Sequence, residues 1–137
     1  MNSPVTIDAS VFVSAFSPAE SAHKASKAFM TRVRAEGLPI IVPTLVLPEI
    51  ASAIARGQGK PDLGVQFAEE VGRFPNIVLV SLDKTLAKQA VEAATKYRLR
   101  GSDAVYAAVA LRFGTELVTL DREQLERLAG VVTAREP

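Results

Sequence analysis

The chain contains no cysteine, no tryptophan and a single histidine, His23. These absences remove whole classes of chemistry. Thiolate and His-rich metal sites lack their ligands, and cysteine nucleophiles, redox dithiols and disulfides are excluded outright. A Ser-His-Asp triad would rest on His23 alone, which lies between Ala22 and Lys24 and reads as a surface or boundary residue. The most apolar stretch, Leu38 to Leu47, is broken by Pro39 and Pro43 and falls well short of the ~20 residues that span a bilayer. The opening MNSPVTID lacks a positive n-region and soon reaches Asp8, so no signal peptide is expected. With 16 Lys and Arg against 15 Asp and Glu, the net charge is +1, and no global polycation announces a nucleic-acid partner. The expectation is a soluble, cytoplasmic protein with no membrane partner, in which any catalysis falls to carboxylates.

What remains is an ordinary globular composition, 48% hydrophobic and 23% charged over 137 residues. That length suits a single domain covering residues 1–137. Short β-branched runs alternate with helical patterns throughout, the signature of βαβ units around a parallel sheet. Strands are expected at Val5 to Ile7, Pro39 to Val42, Asn76 to Val80, Glu116 to Leu120 and Val131 to Thr133. Several are apolar throughout, as in strands covered on both faces. Ser17-Pro18-Ala19-Glu20 carries the signals of a helix start and predicts a helix to Glu36. Thr44 is expected to cap a helix through Arg56, and GQGKP at Gly57 to Pro61 to form a loop. Pro61 or Asp62 should open a helix to about Arg73, Asp83 one through Tyr97, and Ser102 one from Asp103 to Phe113.

In an open parallel sheet, ligands bind outside the carboxyl ends of the strands where strand order reverses. Asp8 follows the first expected strand; Asp83 and Asp121 follow the third and fourth. Glu49 and Asp103 lie in the first turns of helices that start at the same edge. Asp beside a helix start is ordinarily a cap, so each acid alone has a bland reading. Five carboxylates aimed at one rim repel one another unless a cation or proton neutralises them. Oxygen-only ligands select a hard cation such as Mg²⁺ or Mn²⁺, which can activate water and stabilise a phosphodiester during in-line displacement.

Four segments in this order, VTIDASVFVSAF, LVLPEIASAIAR, LRGSDAVYAAVALRFG and ELVTLDRE, resemble the acidic blocks of PIN-domain nucleases, particularly their VapC-like toxin branch. The resemblance covers nearly the whole chain. It implies a three-layer α/β/α sandwich with a parallel sheet in the order 3-2-1-4-5. It also implies a Mg²⁺- or Mn²⁺-dependent ribonuclease in which Asp8, Glu49, Asp103 and Asp121 are the catalytic and metal-binding acids. Ser10 and Thr119 match the family's supporting hydroxyl residues. In that strand order Asp83 lies two strands from Asp8, about 10 Å off, and becomes a simple cap. Two departures stand out: Leu125 replaces an aromatic that often follows the fourth acid, and Ser102 is small where many relatives carry a larger residue.

The resemblance further implies an RNA substrate, a homodimer and a cognate antitoxin. Arg56, Lys60, Arg98, Arg100 and Arg122 are candidate rim cations, with Arg100, three residues before Asp103, the first candidate for a phosphate contact. Two other readings are a PIN-like RNA-binding or scaffold module without activity, and a phosphohydrolase with an Asp nucleophile. The latter lacks a second Asp two residues after Asp8, where Ser10 stands.

Overall fold

The computed structural model describes residues 3–137. In chain order the elements are β1 (Val5–Ile7), α1 (Ala9–Phe16), α2 (His23–Ala35), β2 (Ile40–Pro43), α3 (Val46–Gln58), α4 (Pro61–Gly72), β3 (Ile77–Val80), α5 (Lys84–Tyr97), α6 (Gly101–Phe113), β4 (Glu116–Val118), α7 (Arg122–Arg127) and β5 (Ala134–Arg135). The five strands form one sheet in the order β3-β2-β1-β4-β5. All pairings are parallel. The chain steps outward from β1 to β3 and then returns across the sheet to β4. Right-handed crossovers therefore put α1 to α4 on one face and α5 and α6 on the other. The packing agrees: α6 lies against β1, β2 and β4 with α5 outside it, while α1 packs on α2 and α3, and α3 on α4.

The core centres on β1 and α6. All three residues of β1 are buried, and Thr6, the polar one, donates to the Ile41 carbonyl at 2.8 Å and lies 2.6 Å from Thr115 Oγ1. Its hydroxyl thus costs little to bury. In α6 every residue from Asp103 to Ala110 is buried, because the sheet covers one side and α5 the other. Ala104, Ala107, Ala108 and Ala110 keep the helix slim enough for this. Fully enclosed apolar side chains such as Phe12, Ile7 and Leu117 contribute about 1.5–3 kcal/mol each.

The structure departs from the sequence expectations at several boundaries. Ser17-Pro18-Ala19-Glu20 does not start a helix: the Ser17 amide bonds to Val13 O and closes α1, and two successive turns follow before α2 begins at His23. Residues 9–16, which carry no helix-start signal of the Ser-Pro-x-Glu kind, are helical. Thr44 caps nothing, since Leu45 precedes α3 without a side-chain cap. That helix runs two residues beyond Arg56 and ends at Gly59, which adopts the left-handed conformation. α6 begins at Gly101 with Arg100, not Ser102, at the N-cap position. Val131 and Val132 form turns on the Leu128 carbonyl, which displaces the last strand to Ala134–Arg135. β3 is one of the two edge strands and is not covered on both faces: Val78 and Leu79 are exposed.

Helices α3 and α4 approach so closely at Gly64 that an added Cβ would lie 2.6 Å from the carbonyl oxygen of Ala51. Backbone cannot yield as a flexible side chain can. Gly64→Ala is expected to destabilise the fold by about 1–2 kcal/mol, the overpacking cost exceeding the helical gain of alanine. A thermal midpoint lowered by several degrees, read by circular dichroism, is the expected outcome; an unchanged or raised midpoint would refute this account of the contact.

Candidate functional site

Order reversal at β1 sets β4 beside it, so the ends of these two strands share one edge. Asp8 extends this ladder, its amide bonding to Val118 O at 3.0 Å. It also occupies the N-cap position of α1, yet its carboxylate makes no cap bond. Instead Oδ2 accepts from Ser10 Oγ at 2.6 Å and Thr119 Oγ1 at 3.1 Å. Those hydroxyls are themselves oriented, because Ser10 Oγ accepts from the Leu120 amide and Thr119 Oγ1 from the Asp121 amide. Each hydroxyl thus accepts from one backbone amide and donates to Asp8. The segment following β4 thereby holds the acid that follows β1.

Asp121 precedes α7, and its Oδ1 accepts from the amides of Glu123 and Gln124. Asp83 makes the equivalent cap on α5, accepting from Leu86 N at 2.8 Å. The two acids have the same local role, but only Asp121 stands beside β1. Asp103 lies in the first turn of α6 and is 7% exposed, as is Asp8. Its Oδ1 accepts from Gln124 Nε2 at 3.1 Å. One turn on in the same helix, the fully buried Tyr106 donates to Glu49 Oε1 at 2.7 Å. Each acid therefore has one oxygen held by the scaffold.

Arg100 spans the remainder of the pair nearest it. Its Nε donates to Asp103 Oδ2 at 3.2 Å and its Nη2 to Asp121 Oδ2 at 2.5 Å. All four acids line one groove of about 630 Å³, together with Ser10, Ser52, Arg56, Arg100 and Ser102. Of the five rim cations expected from sequence, Arg56 and Arg100 line this groove; Lys60, Arg98 and Arg122 do not. His23 stands apart, its Nδ1 2.9 Å from Ser14 O.

The electrostatics follow from burial and crowding. Burial raises the Asp8 carboxyl above its ordinary value, against the hydrogen bonds from Ser10 and Thr119, and Asp121 adds repulsion. Burial raises Glu49 as well, opposed by the Tyr106 hydrogen bond. Asp103 is pushed up to about 6, first by burial and then by the charge of Asp121, with Arg100 pulling the other way. Tyr106 is held far above the usual phenol range, first by burial and then by the charges of Asp8 and Glu49, so it remains a donor.

Tyr106 and Gln124 escape the sequence reading. A signal existed for Tyr106, since a lone phenol in the small apolar run AVYAAVA needs a buried partner for its hydroxyl, and it lies three residues after Asp103. Gln124 offered none, lying among the charged residues of REQLER. Its Oε1 is buried without a partner, because turning the amide over would set oxygen against the Asp103 carboxylate.

A model of the PIN domain family matches residues 5–131. Ribonuclease VapC3 of Pyrobaculum aerophilum is 26% identical over 129 residues, which span 94% of this chain and 98% of that protein. Among solved structures, VapC20 of Mycobacterium tuberculosis, described as a Sarcin-Ricin loop cleaving toxin, superposes with a TM-score of 0.76 at 19% identity, covering 94% of this chain and 97% of the other. A chain of VapBC2 from Rickettsia felis, bound to a fragment of its promoter DNA, has the same fold, with a TM-score of 0.70 at 12% identity and 98% of each chain covered. The five-stranded parallel order is the one that the resemblance implied, and the family match takes in all four acids of the groove: the chain belongs to the PIN domain family.

Proposed function

We propose that this chain is a divalent-metal-dependent endoribonuclease, a single domain over residues 1–137, and the toxin of a type II toxin-antitoxin pair. The observation that carries the reading is the convergence of Asp8, Glu49, Asp103 and Asp121 on one groove, three of them with raised pKa values. The names of relatives support it. VapC3 is called a ribonuclease, VapC20 a Sarcin-Ricin loop cleaving toxin, and a further neighbour is a toxin-antitoxin complex from Klebsiella pneumoniae. On the same reading the protein works in the cytoplasm as a homodimer and is silenced by a cognate antitoxin.

The donor set suits Mg²⁺ or Mn²⁺ in chemistry, being oxygen throughout with Ser and Thr hydroxyls around it. As the side chains stand, no group of three or more ligating residues is closed tightly enough among the described residues to grip an ion. Asp8, Asp103 and Asp121 would be its ligands, with Glu49 as a fourth ligand or as the base. A divalent cation there supplies charge neutralisation on the phosphodiester and a more acidic water. Everything else belongs to the chain. Glu49, steered by Tyr106 and raised by burial, is suited to take the proton of the attacking water. Gln124, Thr119 and Ser10 hold the acids in place, and Arg56 and Arg100 are the groove cations available to RNA phosphates.

Asp8→Asn should lower Mg²⁺-dependent RNA cleavage by roughly a hundredfold or more, while the thermal midpoint stays level or rises because a buried, desolvated acid has been neutralised. Full activity in this variant would sink the assignment. RNA binding by the wild type without cleavage, in Mg²⁺ and Mn²⁺ alike, would instead favour the binding-module reading.

Linkage gives a second expectation. The raised carboxyls take up protons more readily folded than unfolded, so between about pH 4 and 6 the metal-free protein gains stability as pH falls and loses it as pH rises. A bound cation needs the ionised acids, so its stabilisation should be largest above about pH 6 and fade below it. Thermal midpoints measured against pH in EDTA and in Mg²⁺ should converge toward acid pH and diverge toward neutral. Parallel curves would contradict a carboxylate-held cation.

A further inference from the structure

Arg100 occupies an unusual place for a groove cation. It stands at the N-cap position of α6, and its guanidinium bridges two acids carried by different parts of the chain, Asp103 and Asp121. The atoms it holds are informative. Asp103 Oδ1 is committed to Gln124, and Asp121 Oδ1 to the amides that open α7. What the scaffold leaves over is Oδ2 of each, and Arg100 takes both. These are the oxygens through which the pair can ligate an ion without dismantling the hydrogen bonds that position it. The Arg100 side chain is 62% exposed, so nothing packed around it prevents its leaving. Arg56 lines the same groove without bonding to any of the four acids.

We propose that Arg100 is a resident counter-ion that competes with the divalent cation for Oδ2 of Asp103 and Oδ2 of Asp121. In the metal-free protein it neutralises the pair; the cation displaces it and frees the guanidinium for substrate phosphate. Metal loading and phosphate capture are then linked through one side chain. A planar fork suits this role better than an ammonium, because it reaches two carboxylates at once. The inference rests on the metal-dependent reading of the groove.

Competition predicts a direction that an ordinary surface ion pair does not. The test is titration of Mn²⁺ into the whole, metal-free protein, followed by calorimetry and by loss of the free-ion electron paramagnetic resonance signal, with no RNA present. Arg100→Gln should bind Mn²⁺ roughly three- to tenfold more tightly than wild type, and its metal-free thermal midpoint should fall. Arg100→Lys, which keeps the charge and loses the fork, should also bind more tightly than wild type. Arg56→Gln removes an equal charge from the same groove and should shift the affinity little. Equal Mn²⁺ affinity in wild type and both Arg100 variants would overturn the competition while leaving the metal site intact. So would a gain in Arg56→Gln as large as that in Arg100→Gln, since a general field effect would then suffice. Failure of wild type and variants alike to bind Mn²⁺ would overturn the metal reading itself and this inference with it.

Discussion

Repulsion among four carboxylates gathered at one sheet edge is the constraint around which the rest of this molecule is arranged. Two of them, Asp8 and Asp103, are almost wholly removed from water, and buried charge is tolerated only where partners compensate it. The compensation here is a layer of donors: Ser10 and Thr119 on Asp8, Gln124 on Asp103, Tyr106 on Glu49 and the first amides of α7 on Asp121. Hydrogen bonds to charged groups contribute about 1.5–3 kcal/mol each, enough to hold the acids in position and too little to erase their mutual strain. The raised carboxyl of Asp103 records burial first and the charge of Asp121 second.

Topology decides which acids join this group. The segments SLDK and TLDR both set an Asp between a strand and a helix, and both acids cap the helix that follows. One is a structural cap at the far edge of the sheet; the other faces Asp8. Nothing local separates them. The difference is that β4 returns to lie beside β1 while β3 remains at the rim, so strand order converts one of two equivalent turns into part of a site.

The same distinction explains what could be read in advance. Asp8, Glu49, Asp103 and Asp121 were legible because each interrupts an apolar run at an element boundary, where its placement follows from the βα alternation. Tyr106 and Gln124 act through the third dimension, on acids of distant elements, and a residue's own neighbours do not report that. Local signals failed where tertiary contacts outbid them. Ser17-Pro18 has the chemistry of a helix start, but the run ASVFVSAF buries Val11 and Phe12 as a helix of its own and ends on Ser17. Val131 and Val132 have the propensity of a strand, yet the Leu128 carbonyl draws them into turns and the edge pairing passes to Ala134 and Arg135.

The hydroxyl that joins the two central strand ends belongs to a residue 111 positions beyond the acid it supports. Most of the chain must therefore exist before Asp8 has its neighbour. A growing polypeptide exposes β1, α1 and even β2 and β3 long before β4 is made, and during that interval Asp8 lacks the Thr119 hydroxyl and β1 lacks its β4 neighbour. The groove therefore takes shape only once the segment after β4 has been made, late in the order of the chain.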